Sequence, residues 1–141
     1  MKINNVVLLL FCFLSVKTIA QHEHSLKQDA AKITTAILLE QLVNEQGIDN
    51  KNVIMEIVNF PPLYEGSAHR HPCPLFAYLL EGELESVFEG KTYHYKKGDS
   101  FYEQKNGLHF STKNPDPLNP AKLLVFYISE KGATTYIPEK H

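Results

Sequence analysis

Residues 75–103 read LFAYLLEGELESVFEGKTYHYKKGDSFYE, a stretch in which short apolar runs alternate with turns that contain glycine. The runs at 76–80 and 84–88 flank Glu81-Gly82-Glu83, and Glu89-Gly90-Lys91 precedes the run at 92–95. Two strand-like runs joined by a short loop with glycine are the signal of a β-hairpin. The stretch therefore predicts consecutive antiparallel strands.

The same pattern continues on both sides of this stretch. The stretch itself ends in a strand-like run at residues 98–103, and further runs outside it are found at residues 53–60, 108–112 and 122–129. Short strands at such regular spacing favour an all-β domain, either a sandwich or a closed antiparallel barrel. Residues 26–46 form an ambiguous entry element, because their apolar residues have near-helical spacing while their β-branched residues favour a strand. Residues beyond Pro138 are expected to be loose.

The amino-terminal residues have the composition of a secretory signal peptide. Lys2 is followed by an apolar run at residues 6–16 and by Thr18-Ile19-Ala20, a small-residue cleavage pattern. The apolar run is too short to cross a bilayer as a helix, and no later run is longer. Residues 1–20 are therefore predicted to be removed, which leaves 121 of the 141 residues, enough for one domain, in a secreted or periplasmic protein.

Cleavage also changes the charge and the cysteine count. Lys2 and Lys17 leave with the signal peptide, so 12 of the 14 basic residues remain against 16 acidic ones and the net charge moves from −2 to −4. A mildly acidic domain has no electrostatic reason to bind nucleic acid. Cys73 is the one cysteine left, so an intramolecular disulfide is excluded in the mature chain.

Two histidines, His69 and His71, are the first candidates for chemistry. Residues two apart in a strand point to the same face, so both imidazoles can reach one point. The pair alone is weak evidence, because histidines beside Pro72 and Pro74 are also compatible with a solvated loop. A third histidine from another strand would favour a metal site, and His109 is the candidate.

The residues around these histidines resemble the two sequence motifs of the cupin family. GSAHRHPCP at residues 66–74, followed by YLLEGEL at 78–84, is similar to the first motif, a His-x-His pair that leads into a strand and a glycine turn. GDSFYE at residues 98–103, followed by His109, is similar to the second motif. The resemblance covers residues 53–131, preceded by an extension at 21–52 and followed by a tail at 132–141.

The resemblance implies a fold and a metal site. The fold is a double-stranded β-helix, a small barrel of the jelly-roll type, formed as a single domain. His69, His71 and His109 would face inward and hold one divalent metal ion, which in this family is iron, manganese, nickel, zinc or copper. Two same-face histidines and a third from a distant strand can bind an ion and leave coordination positions open.

The chain departs from the first motif at its carboxylate. Leu75 and Phe76 occupy the positions where that motif usually has a glutamate. Glu103, which precedes His109 by six residues, is a candidate to replace the missing carboxylate or to act as a general base. The alternative is a surface glutamate or one that pairs with a lysine.

Aromatic residues next to the predicted ligands suggest a pocket. Phe76, Tyr102 and Phe110 neighbour the candidate site residues in sequence, and we expect them to line it. An apolar, aromatic mouth suits a small planar or phenolic ligand better than a sugar.

Two classes of function are compatible with these features. The first is a metal-dependent oxidoreductase of the dioxygenase type that acts on a small aromatic or diketone molecule. The second is a non-catalytic cupin of the cell envelope that binds metal or a small ligand. Fold alone does not decide between them. The resemblance also implies a homodimer in which edge strands pair across subunits.

Overall fold

The computed structural model describes residues 32–140. The predicted signal peptide and its cleavage after Ala20 lie outside the described residues and stay predictions. Across the described range every regular element is a strand, and none of it forms a helix long and apolar enough to cross a membrane. The strands are β1 (Thr34–Glu45), β2 (Ile48–Phe60), β3 (His69–Arg70), β4 (Leu75–Glu81), β5 (Glu83–Phe88), β6 (Lys91–Lys96), β7 (Ser100–Glu103), β8 (Leu108–Lys113), β9 (Ala121–Glu130) and β10 (Ile137–Pro138).

The ten strands form two five-stranded antiparallel sheets that enclose the core. The first sheet has the order β1-β2-β9-β4-β7, and the second has the order β10-β3-β8-β5-β6. Most neighbours in each sheet are distant in sequence, so the chain crosses repeatedly between the sheets, as in a jelly roll. This architecture confirms the predicted all-β, double-stranded β-helix.

Strict alternation along the strands places the core between the two sheets. In β9, Ala121, Leu123, Val125 and Tyr127 are buried, while the residues between them are more exposed. Successive side chains of a strand point to opposite faces, so this period of two fills one face of the first sheet with apolar groups. Burying an aliphatic or aromatic side chain contributes about 1.5 to 3 kcal/mol. The barrel is therefore stabilised by packing, and Cys73 is a free, buried thiol within it.

The part of the ambiguous entry element that the structure describes is mainly a strand, β1, and residues 26–31 lie outside the described range. Most of β1 pairs antiparallel with β2 in a hairpin. The β-branched residues within 33–37 favour a strand over a helix. Strand β2 begins at Ile48, so residue 53, where the predicted domain starts, lies inside this strand. Residues 34–45 are exposed almost throughout, because β1 is an edge strand and has β2 as its single neighbour.

The carboxyl-terminal residues are held by contacts that the sequence did not reveal. Strand β10 pairs antiparallel with β3. The Glu139 amide donates to the Ala68 carbonyl over 3.0 Å, and the Arg70 Nε donates to the Glu139 carboxylate over 3.0 Å. The expectation of a loose tail beyond Pro138 was therefore wrong for Glu139, because local composition does not encode a pairing with residues about 70 positions away.

Candidate metal centre

The structure brings together the three histidines singled out from the sequence. His69 on β3 lies directly opposite His109 on β8 in the register of the second sheet, and His71 follows the end of β3. Candidate ligand nitrogens of the three rings all lie within 4.8 Å of one another. His71 is 9% exposed and His109 is 6% exposed. The cluster therefore lies inside the barrel rather than on its surface.

Backbone carbonyls fix the orientation of two of the three rings. His69 Nδ1 lies 2.9 Å from the Ser67 carbonyl oxygen, and His71 Nδ1 lies 2.6 Å from that of Thr135. A carbonyl can only accept, so each Nδ1 carries the proton and each Nε2 keeps its lone pair. Metal-binding histidines are usually oriented by such a second hydrogen bond.

The two Nε2 atoms face each other across a short distance. They lie 3.2 Å apart, close to the roughly 3.0 to 3.4 Å that separates two nitrogens bound at about 2.0 to 2.1 Å to one ion. Burial is the main cause that lowers the pKa of His69 to about 4, and burial also lowers the pKa of His71. At neutral pH both rings are thus uncharged, and two lone pairs meet where a divalent cation would bind both.

Glu103 lies beside the third histidine in the barrel interior. The residue is 3% exposed, and its Oε2 lies 3.4 Å from His109 Nδ1. Neither atom has a hydrogen-bond partner. The other ring nitrogen of His109 is satisfied, because it lies 2.9 Å from the Ser86 hydroxyl and 2.7 Å from that of Thr112. A buried carboxylate oxygen without a partner is costly, so these two atoms also fit a bound cation.

The position of Glu103 accounts for the carboxylate missing from the first motif. In the pairing of β4 with β7, Leu75 lies directly opposite Glu103, and both side chains point into the barrel. The carboxylate is thus on the neighbouring strand, one strand away from the position at which the resemblance places a glutamate. The alternative of a surface glutamate was wrong, and the nearby group is His109 rather than a lysine.

Strand parity places the three predicted pocket residues outside the barrel. Phe76, Tyr102 and Phe110 are 47%, 55% and 57% exposed, and none of them lines the cavity at the histidines. Each is adjacent in sequence to an inward-facing residue, and adjacent residues of a strand point to opposite faces. The prediction that these aromatic residues surround the site is therefore corrected, since closeness in sequence was the wrong criterion.

Other aromatic residues line the cavity, which has a volume of about 380 Å³. The Tyr136 ring stacks on that of His69 at 4.7 Å, and the Tyr127 ring lies 5.5 Å from that of His71. Burial raises the pKa of Tyr127 and raises the pKa of Tyr95 to about 12, so these phenols stay protonated at neutral pH. The aromatic residues of the lining are Phe60, Tyr64, Tyr95, Phe101, Tyr127 and Tyr136.

Two aromatic residues of the lining, Tyr127 and Tyr136, were not singled out from the sequence, for different reasons. Tyr127 could have been found from the alternation of β9, in which it shares the face of Leu123 and Val125. Tyr136 and the Thr135 carbonyl lie in the carboxyl-terminal segment, where the sequence has no periodicity that would predict their place at the site.

Comparison with protein families gives a match over about half of the chain. Residues 56–127 match the family model described as Cupin domain, a range that contains all three histidines and Glu103. No curated protein sequence matches the chain.

Solved structures with the same fold are similar to the chain at low sequence identity. A cupin superfamily protein from Desulfitobacterium hafniense is 13% identical, with a TM-score of 0.56, over 70% of this chain and 79% of that one. The DMSP lyase DddQ from Ruegeria pomeroyi is 21% identical, with a TM-score of 0.60, over 78% of this chain and 54% of that one. KdgF from a Halomonas species is 19% identical, with a TM-score of 0.54, over 67% of this chain and 77% of that one. At these identities the likeness concerns the fold alone.

Proposed function

The chain belongs to the cupin family, and from this premise we propose that it is a metal-dependent enzyme that acts on a small molecule inside its barrel. The observation that carries the proposal is the 3.2 Å separation of the His69 and His71 Nε2 atoms, whose rings are fixed by backbone carbonyls. His109 and Glu103 complete a set of three imidazoles and one carboxylate. This donor set suits a first-row divalent ion, which iron, manganese, nickel, zinc or copper can provide.

The residues around the site have separate roles in this proposal. A bound ion would supply Lewis acidity and, for a redox-active metal, a means to use molecular oxygen. The backbone carbonyls of Ser67 and Thr135 hold two imidazoles in the binding orientation. The Tyr136 ring covers His69 and limits the access of water to the cluster. Protonated tyrosine hydroxyls in the cavity can donate hydrogen bonds to a ligand oxygen.

The size and lining of the cavity support a small aromatic or diketone substrate. About 380 Å³ lies at the lower end of the range for small-molecule sites and suits a single ring or a short chain. Six aromatic side chains supply flat, apolar walls. A dioxygenase-type reaction on such a molecule is the activity we propose.

Oxygen consumption by protein loaded with one metal at a time tests this activity. Chelator-stripped protein is reconstituted separately with Fe²⁺, Mn²⁺, Ni²⁺, Zn²⁺ or Cu²⁺ and offered phenols, catechols and β-diketones. Uptake of oxygen with a redox-active metal and none with zinc would support the enzyme. Tight metal binding without any turnover would favour the non-catalytic cupin instead.

Replacing Glu103 by glutamine is expected to weaken metal binding by about 10- to 100-fold. The substitution keeps the shape of the side chain but removes the charge of the oxygen that lies 3.4 Å from His109. Competition with a chelator of known affinity measures the effect. Glu85→Gln is the matched control, because Glu85 is on β5 and pairs with His94, which is exposed. Unchanged affinity with lost turnover would assign Glu103 the role of a general base rather than a ligand.

We also propose that the protein forms a homodimer through the outer face of the first sheet. One apolar row crosses all five strands of that face in register: Leu39, Met55, Phe126, Phe76 and Tyr102. The next row adds Ile57, Leu124 and Tyr78. An antiparallel sheet that faces water usually has polar residues at such positions, and exposed aromatic residues are enriched in interfaces. A second copy of the chain offers the same face.

Phe76→Lys is expected to convert the dimer to a monomer, because an unpaired ammonium buried within the row is costly. Phe110→Lys is the control, since Phe110 is also an exposed phenylalanine but lies on β8 in the second sheet. Light scattering during size-exclusion chromatography should give twice the protomer mass for the wild type and the control. A monomeric wild type would contradict the proposal.

A further inference from the structure

A second carboxylate lines the cavity that contains the three histidines. Glu56 lies on β2, and its Oε1 accepts a hydrogen bond from the Tyr127 hydroxyl over 3.1 Å. The Tyr127 ring in turn lies 5.5 Å from that of His71. Tyr127 therefore connects the histidine cluster to Glu56, and the Glu56 carboxylate lies about one tyrosine side chain from the cluster.

The charges of the cavity lining are all negative. Among the described residues that line the cavity, Glu56 and Glu103 are acidic and none is lysine or arginine. Two carboxylates balance the two charges of a divalent ion, so a loaded site has no surplus positive charge. An anionic ligand would find the ion itself as its cationic partner, but Glu56 and Glu103 already balance that charge and would repel a further anion. The lining thus discriminates against carboxylates and phosphates.

We propose that the cavity binds a small uncharged or cationic molecule with an amine or hydroxyl donor, and that Glu56 accepts the hydrogen bond from that donor. This inference rests on the proposed function, because it names the ligand class of the same cavity. A hydrogen bond to a carboxylate is stronger than one between neutral groups. The aromatic faces of Tyr64 and Tyr136, which also line the cavity, attract an organic cation by cation–π interaction.

Three probes with one ring and different charges test the proposal: benzylamine, benzyl alcohol and benzoate. Calorimetric titrations use the mature protein loaded with Zn²⁺, a redox-inert ion, at neutral pH. We expect benzylamine to bind at least about 10-fold more tightly than benzoate. Glu56→Gln should weaken benzylamine binding by about 10-fold or more and weaken benzyl alcohol binding less, with the same bound zinc. Glu45→Gln, at an exposed position of β1, is the matched control and should change nothing.

Several results would overturn the inference. They are benzoate binding as tight as that of benzylamine, an unchanged preference in Glu56→Gln, or no measurable binding of any probe. Glu56→Asp keeps the charge and should keep the preference for benzylamine, so it separates loss of charge from a folding defect. Titrations of chelator-stripped protein distinguish the two proposals: a protein that binds no zinc but still prefers benzylamine would refute the metal site and leave the role of Glu56 intact.

Discussion

Replacing His69 by alanine is expected to lower the affinity for a divalent ion by at least about 100-fold. Loss of a group that only orients a metal ligand costs 10- to 100-fold in affinity, and loss of a ligand itself should cost more. His69 is the least buried of the three histidines, so its removal disturbs the packing of the barrel least. The affinity is measured by chelator competition, and the metal content of dialysed protein is measured by mass spectrometry.

His94→Ala is the matched control for this substitution. His94 lies on β6 with its side chain exposed, and it pairs with Glu85 rather than with another histidine. The control should bind metal like the wild type. Equal losses in both variants would point to scattered surface binding, and full metal content in His69→Ala would contradict a site built on the 3.2 Å pair.

Replacing Asn114 by alanine is expected to destabilise the fold by roughly 3 to 5 kcal/mol. The side chain is 1% exposed, and its Nδ2 donates to the carbonyls of Phe60, Pro61 and Asn119 over 2.9 to 3.1 Å. Its Oδ1 accepts from the Asp116 amide over 3.1 Å. Alanine would leave several buried backbone groups without a partner, and each such group costs about 1 to 3 kcal/mol.

Urea denaturation followed by circular dichroism measures this loss. Asn44→Ala applies the same substitution at an exposed position of β1 and should change the free energy of unfolding by less than about 0.5 kcal/mol. A similar small change in Asn114→Ala would mean that water replaces these hydrogen bonds. The backbone N–H of Asn114 donates to the Tyr64 carbonyl over 3.0 Å, and alanine keeps this hydrogen bond, so the variant tests the side-chain contacts alone.

The strands were predictable because their signals are local. The glycine turn at 81–83 and the strand-like run at 122–129 depend on residues a few positions apart, and both predicted the elements within a few residues. The three histidines could be grouped only with the help of the family resemblance, since His109 lies 38 residues after His71 and spacing alone does not show that β3 pairs with β8.

The lining of the site was less predictable because it depends on register between strands. Glu103 was singled out as a candidate, but its place opposite Leu75 follows from the pairing of β4 with β7. The prediction that Phe76 and Tyr102 line the cavity was wrong, because strand parity places both side chains on the outer face of the sheet. Tyr136 reaches His69 through a two-residue strand at the end of the chain, which leaves no local sequence signal.

Anomalous diffraction from a crystal of metal-loaded protein tests the proposed metal centre most directly. Data collected at the absorption edge of the loaded ion locate it without reference to the protein atoms. We predict one strong peak about 2.0 to 2.3 Å from the Nε2 atoms of His69 and His71, with His109 and Glu103 as further ligands. A crystal in which the ion binds elsewhere, or in which no peak lies between these histidines, would contradict the metal centre.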